Sequence, residues 1–182
     1  MHNQIQEFFR EGYRRPAPGW FIGLCRLAFG LMWLYSARGN VPPSFGSETD
    51  TGLWYWTQQG IQHTAFSWHR ALLENVVLPN LVPFGWLSFL LQLSIGFFLL
   101  AGLFTRIFSA AGLLLSLCLA IGLAGRPTGE GSMAFILATL FHLLFITTNA
   151  GLNWGLDQML LEKLANSPLR RTSWGRRLMK IL

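Results

Sequence analysis

Four apolar runs, each close to the length of a membrane crossing, limit what this chain can become. They are residues 20–37 (WFIGLCRLAFGLMWLYSA), 81–104 (LVPFGWLSFLLQLSIGFFLLAGLF), 107–124 (IFSAAGLLLSLCLAIGLA) and 133–150 (MAFILATLFHLLFITTNA). A helix rises 1.5 Å per residue and needs about 20 residues to cross the hydrocarbon core of a bilayer. One such run fits the buried helix of a soluble domain. Four of them, with almost no charge between their ends, predict an all-α integral membrane protein, a four-helix bundle in a single domain over residues 1–182. Composition supports this: only 12% of the residues are charged, about half the share of an ordinary soluble domain.

The charges that remain set an orientation. Arg10, Arg14 and Arg15 precede the first run, Arg106 sits between the second and third, and Lys163, Arg170, Arg171, Arg176, Arg177 and Lys180 follow the fourth. In a four-span topology all of these fall on one side, leaving Arg38, Arg70 and Arg126 on the other. The bias of Lys and Arg toward cytoplasmic loops then predicts both termini in the cytoplasm, an outer loop over 38–80 and a basic cytoplasmic tail over 151–182. The net charge of +6 is explained by this tail-weighted distribution. There is no RNA-binding aromatic signature and no basic repeat, so no nucleic-acid partner is expected. Arg26 interrupts the first run and YSA is a weak cleavage site, so this run is read as a span rather than a signal peptide. The membrane expected is an inner (plasma) membrane or, as the resemblance described below implies, an energy-transducing one.

Two stretches outside the spans read as interfacial amphipathic helices: 66–77 in the outer loop, and 156–164 with Leu156, Met159, Leu160 and Leu164 on one face. Cys25 and Cys118 lie in apolar runs without metal-ligand spacing and read as small core residues. His63 and His69, in a Trp-rich loop, fit no metal motif and read as solvated loop residues.

Small and polar residues recur at helical spacing within the runs: Gly19, Gly23, Arg26 and Gly30; Gly85, Ser88, Gln92 and Gly96; Ser109, Gly112, Ser116 and Ala120; Thr139, His142 and Asn149. Residues spaced this way share a face, and such faces let membrane helices approach closely and hydrogen-bond across the contact. Three of these residues go beyond packing. Arg26 lies roughly 9 Å and His142 roughly 12 Å from the cytoplasmic end of their spans at the helical rise, and Gln92 lies near the middle of the second. An intramembrane Arg snorkels, pairs within the bundle, or binds an anion, a lipid headgroup or a quinone oxygen. An intramembrane His is a neutral hydrogen-bonded imidazole, a ligand to haem or a chlorophyll-type pigment, or a donor to quinone. Arg26, Gln92 and His142 are the candidate cofactor-binding residues, facing one central cavity. No metal site, phosphate-cradling loop or nucleophile–base pair has a recognisable signature.

Three stretches in order carry a resemblance: LCRLAFGLMWLYSA, LLQLSIGFFLLAGLFTRIFSAAGLLLSL and TTNAGLNWGLDQMLL. Together they resemble the DoxX/DoxD group of small four-helix membrane proteins, from Leu24 to about Leu161. DoxD-type members are subunits of thiosulfate:quinone oxidoreductase. The resemblance implies a membrane subunit of a quinone-linked oxidoreductase, working with membrane lipids and other membrane subunits. The alternative is a non-catalytic accessory subunit of a larger respiratory or photosynthetic complex, holding a pigment or haem through His142. The family usually carries Glu where this chain has Gln92, and a glutamine cannot titrate. The Gly of TTNAG is read as a helix stop. Asp157 is read as a cap on the amphipathic helix that follows, or as a partner of the basic inner face.

Overall fold

Apolar runs of this length become helices because only a helix pairs every backbone N–H and C=O within one segment, where no water can serve them. The computed structural model describes residues 18–126 and 131–181, and among these every regular element is helical. The helices are α1 (Gly19–Ala37), α2 (Gly52–His63), α3 (Ser67–Leu72), α4 (Leu81–Ala101), α5 (Thr105–Gly122), α6 (Ser132–Thr147), α7 (Leu156–Ala165) and α8 (Ser173–Ile181). The N-terminal arginines Arg10, Arg14 and Arg15, and the middle of the turn over 125–132, lie outside the described residues.

Three helices are long and apolar enough to cross a membrane: α1 with its 3-10 extension, α4 and α5. The fourth expected run is shorter than predicted. α6 has 16 residues, about 24 Å against a hydrocarbon core of about 30 Å. It stops at Thr147 because Asn149 takes a left-handed conformation (φ 49°) and the chain turns into the 3-10 segment Ala150–Leu152. The second run likewise ends early, at Ala101. Gly102 has φ 63° and closes α4 as a left-handed cap, and any side chain at this position would strike Gly155 and the Arg26 guanidinium.

α1 packs along α4, α4 against α5, and α5 most extensively against α6. The core between them is Ile22, Trp33, Ile95, Leu99, Phe145 and Ala150, with Phe29, Phe108 and Phe141 against it. The stripes of small and polar residues point inward: Gly23, Arg26, Gly30, Gly85, Gln92, Gly96, Ser109, Gly112, Ser116 and His142 are all buried. The outside is apolar, with Leu31, Leu87, Leu90, Phe97, Leu114, Leu137 and Leu140 each exposed. A soluble monomer rarely shows so much large apolar surface; a protein surrounded by lipid does.

The segment over 38–80 is not a surface loop. α2, which the sequence reading did not identify, packs on α4 and α5. α3 continues through a π-helical turn, Leu73–Val77, and buries His69, Leu73 and Val77 while its opposite side stays exposed. The two helices form a cap over one end of α4 and α5.

Candidate functional site

The three candidate residues are distributed over three structural settings rather than one cavity. Arg26 sits at the end of the helices away from the cap. Its Nη1 donates to the carbonyl of Leu99 and, at 3.1 Å, to that of Leu100. Its Nη2 donates to the carbonyls of Asn153 and Trp154, each at 3.2 Å. The Leu99 carbonyl also accepts the capping N–H of Gly102 at 3.2 Å, so the guanidinium adds to that cap and joins the end of α4 to the turn after α6. A planar guanidinium carries five N–H donors, and four backbone acceptors use most of them. Arg26 is fully buried and lines neither of the cavities described below.

Asp157, close enough to interact electrostatically with Arg26, completes this end. It lies in α7 but caps another helix: its carboxylate accepts from the Phe104 N–H (2.7 Å) and the Thr105 N–H (3.0 Å) at the start of α5. Its own N–H donates to the Gly102 carbonyl at 2.8 Å. The expectation that Asp157 caps the helix following it is therefore corrected. The negative group does meet a helix N-terminus, as the dipole favours, but that terminus is more than fifty residues upstream. Gly151 is required beside it, since a Cβ there would overlap both the Asp157 carboxylate and the Thr105 hydroxyl.

His142 lies midway, fully buried against α5, where a Cβ at Gly112 would overlap its ring. The Trp33 indole N–H donates to His142 Nε2 at 2.8 Å. That leaves the ring proton on Nδ1, which has no partner. The rings of Phe29 and Phe145 meet the imidazole edge-on. An axial ligand to haem or a pigment needs a free ring nitrogen facing open space. Nε2 is occupied and the ring has no exposed surface, so His142 as placed does not fit that group.

Gln92 belongs to the capped end. Its Oε1 accepts from Asn40 Nδ2 at 3.0 Å, and its Nε2 donates to Ser88 Oγ at 3.3 Å. Asn40 in turn accepts from the Leu53 N–H at 2.6 Å, so one side chain ties the end of α1 to the start of α2 and to the middle of α4. Gln92 lines a pocket of about 110 Å³ with Trp33, Ser36, Asn40, Trp56 and Phe135. Beside it is a cleft of about 240 Å³ between α4 and α5 under the cap. The two spaces share Leu53, Trp56, Ser88, Leu115 and Leu119. His142 reaches this chamber only through Trp33.

His69 lines the cleft and is 2% exposed, which corrects its reading as a solvated loop residue. Burial holds its imidazole below the ordinary pKa of 6.5. The signal was present in sequence: His69, Leu73 and Val77 recur at helical spacing within the helix expected over 66–77 on the membrane surface, which instead packs inward. Asn40 and Trp33 had no comparable signal, because each works through a partner distant in sequence. Among the described residues no three His, Cys, Asp or Glu side chains gather as metal ligands.

No family model matches this chain, and neither a curated protein nor a solved structure matches it significantly.

Proposed function

We propose that the chain is a four-helix membrane subunit, with both termini cytoplasmic, that holds a quinone in the chamber under the cap and serves a quinone-linked oxidoreductase. The observation that carries this reading is the chamber itself: a pocket lined by the Gln92 and Asn40 amides beside an apolar cleft that shares five lining residues with it, within helices whose outer faces suit lipid. Ligand sites are mostly apolar with a few placed polar groups, and a quinone has an apolar body with two acceptor carbonyls.

Gln92 is the positioning donor. Its amide carries two hydrogens, of which one goes to Ser88; the second is directed to a quinone oxygen. Asn40 holds the amide in place through Oε1, and Leu115, Leu119 and Trp56 exclude water. When bound, the quinone supplies two-electron, two-proton acceptor chemistry; the electrons come from a partner subunit. Because Gln92 does not titrate, protons reach the site from elsewhere. Arg26 serves assembly, joining the end of α4 to the turn before α7.

The test is binding of a short-chain ubiquinone analogue to the protein in lipid nanodiscs, read by quenching of tryptophan fluorescence. Saturable micromolar binding, weakened about tenfold in Gln92→Leu as expected for a lost buried hydrogen bond, supports the proposal. Binding that is absent, or unchanged in Gln92→Leu, overturns it.

A further inference from the structure

The helix that follows the bundle is held at the level where the spans end. Asp157, in the first turn of α7, caps the start of α5 through the Phe104 and Thr105 N–H groups. Trp154 marks the same level. It is 65% exposed, and its ring lies over the start of α1, where a Cβ on Gly23 would stand 3.4 Å from its Cε3. Tryptophans placed like this collect at the headgroup depth of a bilayer.

From there α7 presents three sides. Asp157 and Leu164 are buried against the rest of the chain. Leu156, Met159 and Lys163 are exposed and, at i, i+3 and i+7, share one flank. Gln158 and Glu162 are exposed on the other flank, where the Gln158 amide donates to the Glu162 carboxylate at 3.2 Å. A helix lying in the interfacial plane is built this way. Its apolar flank meets the acyl chains, its polar flank meets water, and a lysine at the edge reaches up to the headgroups. α8 packs back on α7 through the 3-10 segment Pro168–Arg171 and repeats the pattern: Trp174 is 75% exposed, and Arg177, one turn on, is exposed with it. Arg170, in the connecting segment, is exposed as well. The charge of this end is one-sided, since residues 158–182 hold six Lys or Arg and one Glu.

We infer that α7 and α8 form a docking surface for the acidic phospholipids of the leaflet they lie on. Leu156, Met159 and Trp174 sit among the upper acyl chains, and Lys163, Arg170 and Arg177 meet the headgroup phosphates. The surface selects a negative headgroup, because a zwitterionic lipid brings no net charge, whereas each Lys or Arg near an anionic surface strengthens association about fivefold. An acidic soluble protein would meet the same cations. The apolar flank beside them, at the level of the span ends, favours lipid instead. This inference rests on the chain spanning a bilayer and not on what the chamber under the cap holds.

The experiment places the full chain in phosphatidylcholine bilayers containing a minor share of brominated lipid, either phosphatidylglycerol or phosphatidylcholine. Bromine quenches the tryptophans that touch the lipid carrying it. The signal of Trp154 and Trp174 is the part lost in the Trp154→Phe/Trp174→Phe variant; Trp68 and Trp86, exposed at the capped end, are the control. The inference predicts that phosphatidylglycerol associates at Trp154 and Trp174 at least threefold more strongly than phosphatidylcholine. In Lys163→Gln/Arg170→Gln/Arg177→Gln that preference falls at least twofold, while Trp68 and Trp86 show none in either protein. Four results overturn it: no preference in wild type, a preference unchanged in the triple variant, an equal preference at Trp68 and Trp86, or no quenching of Trp154 and Trp174 by either brominated lipid. The triple variant binds the quinone analogue as wild type does, so failure of this inference and failure of the quinone reading are seen separately.

Discussion

Replacing Asp157 with alanine tests how the end of the molecule away from the cap is held. The carboxylate is fully buried and accepts two backbone N–H groups, those of Phe104 and Thr105. Alanine leaves both donors unpaired in a space closed by Gly151 and Thr105. Each buried donor so stranded costs about 1–3 kcal/mol, so Asp157→Ala loses about 2–6 kcal/mol. Asp157→Asn keeps one acceptor oxygen and turns an NH₂ toward the other donor, so about half of that loss follows. Unfolding by SDS in mixed micelles, followed by tryptophan fluorescence at pH 7, reads both values. Hydrogen exchange reads the location: the Phe104 and Thr105 amides lose protection before the rest of α5. An Asp157→Ala protein within about 0.5 kcal/mol of wild type, an effect typical of unimportant surface sites, refutes the argument. So does loss of stability with those two amides still protected.

Arg26→Lys should be nearly as damaging as Arg26→Leu in the same assay, because an ammonium cannot span four carbonyls that a planar fork reaches. Gly112→Ala drives a Cβ into the His142 ring and should cost about 1–3 kcal/mol; in the double variant with His142→Ala the losses should fall short of their sum. Trp33→Phe removes the donor to His142 Nε2 and should cost about 1–3 kcal/mol, unless His142 is replaced as well. The lowered pKa of His69 means the unfolded chain takes up its proton first as pH falls. Its contribution is therefore intact above the ordinary value of 6.5 and declines as pH falls from there through the folded value. Between pH 7.5 and pH 5 the stability of His69→Asn should fall less than that of wild type.

The membrane character and the inward stripes could be read from sequence because lipid imposes a simple rule: long apolar runs, with small residues where helices touch. The Gly112–His142 contact is of this kind, since both residues stood on predicted inner faces. The ends of the helices were harder. Whether a run stops at Ala101 or at Phe104 depends on Gly102 taking a left-handed conformation against Gly155, a contact between distant segments. Asp157 could be read as a cap, but nothing local says that it caps α5 instead of α7. Arg26 could be read as needing partners, but backbone carbonyls are invisible in side-chain patterns. α2 escaped because it carries tryptophan, tyrosine and glutamine, a composition shared with interfacial loops. Its start is tied to α4 through Asn40, which accepts from the Leu53 N–H and donates to Gln92, contacts that join residues in separate predicted segments.

Everything proposed for this protein's function turns on whether the chamber under the cap holds an uncharged amphiphile of the quinone type. The most direct measurement is mass spectrometry of the small molecules that copurify in mild detergent with wild type and with Leu119→Trp, a change that fills the wall shared by both spaces. About one quinone per wild-type chain is expected, and its loss from a Leu119→Trp protein that unfolds at a similar temperature. Wild type carrying no quinone beyond the amount expected from bulk lipid, or an equal amount in the filled variant, would contradict it.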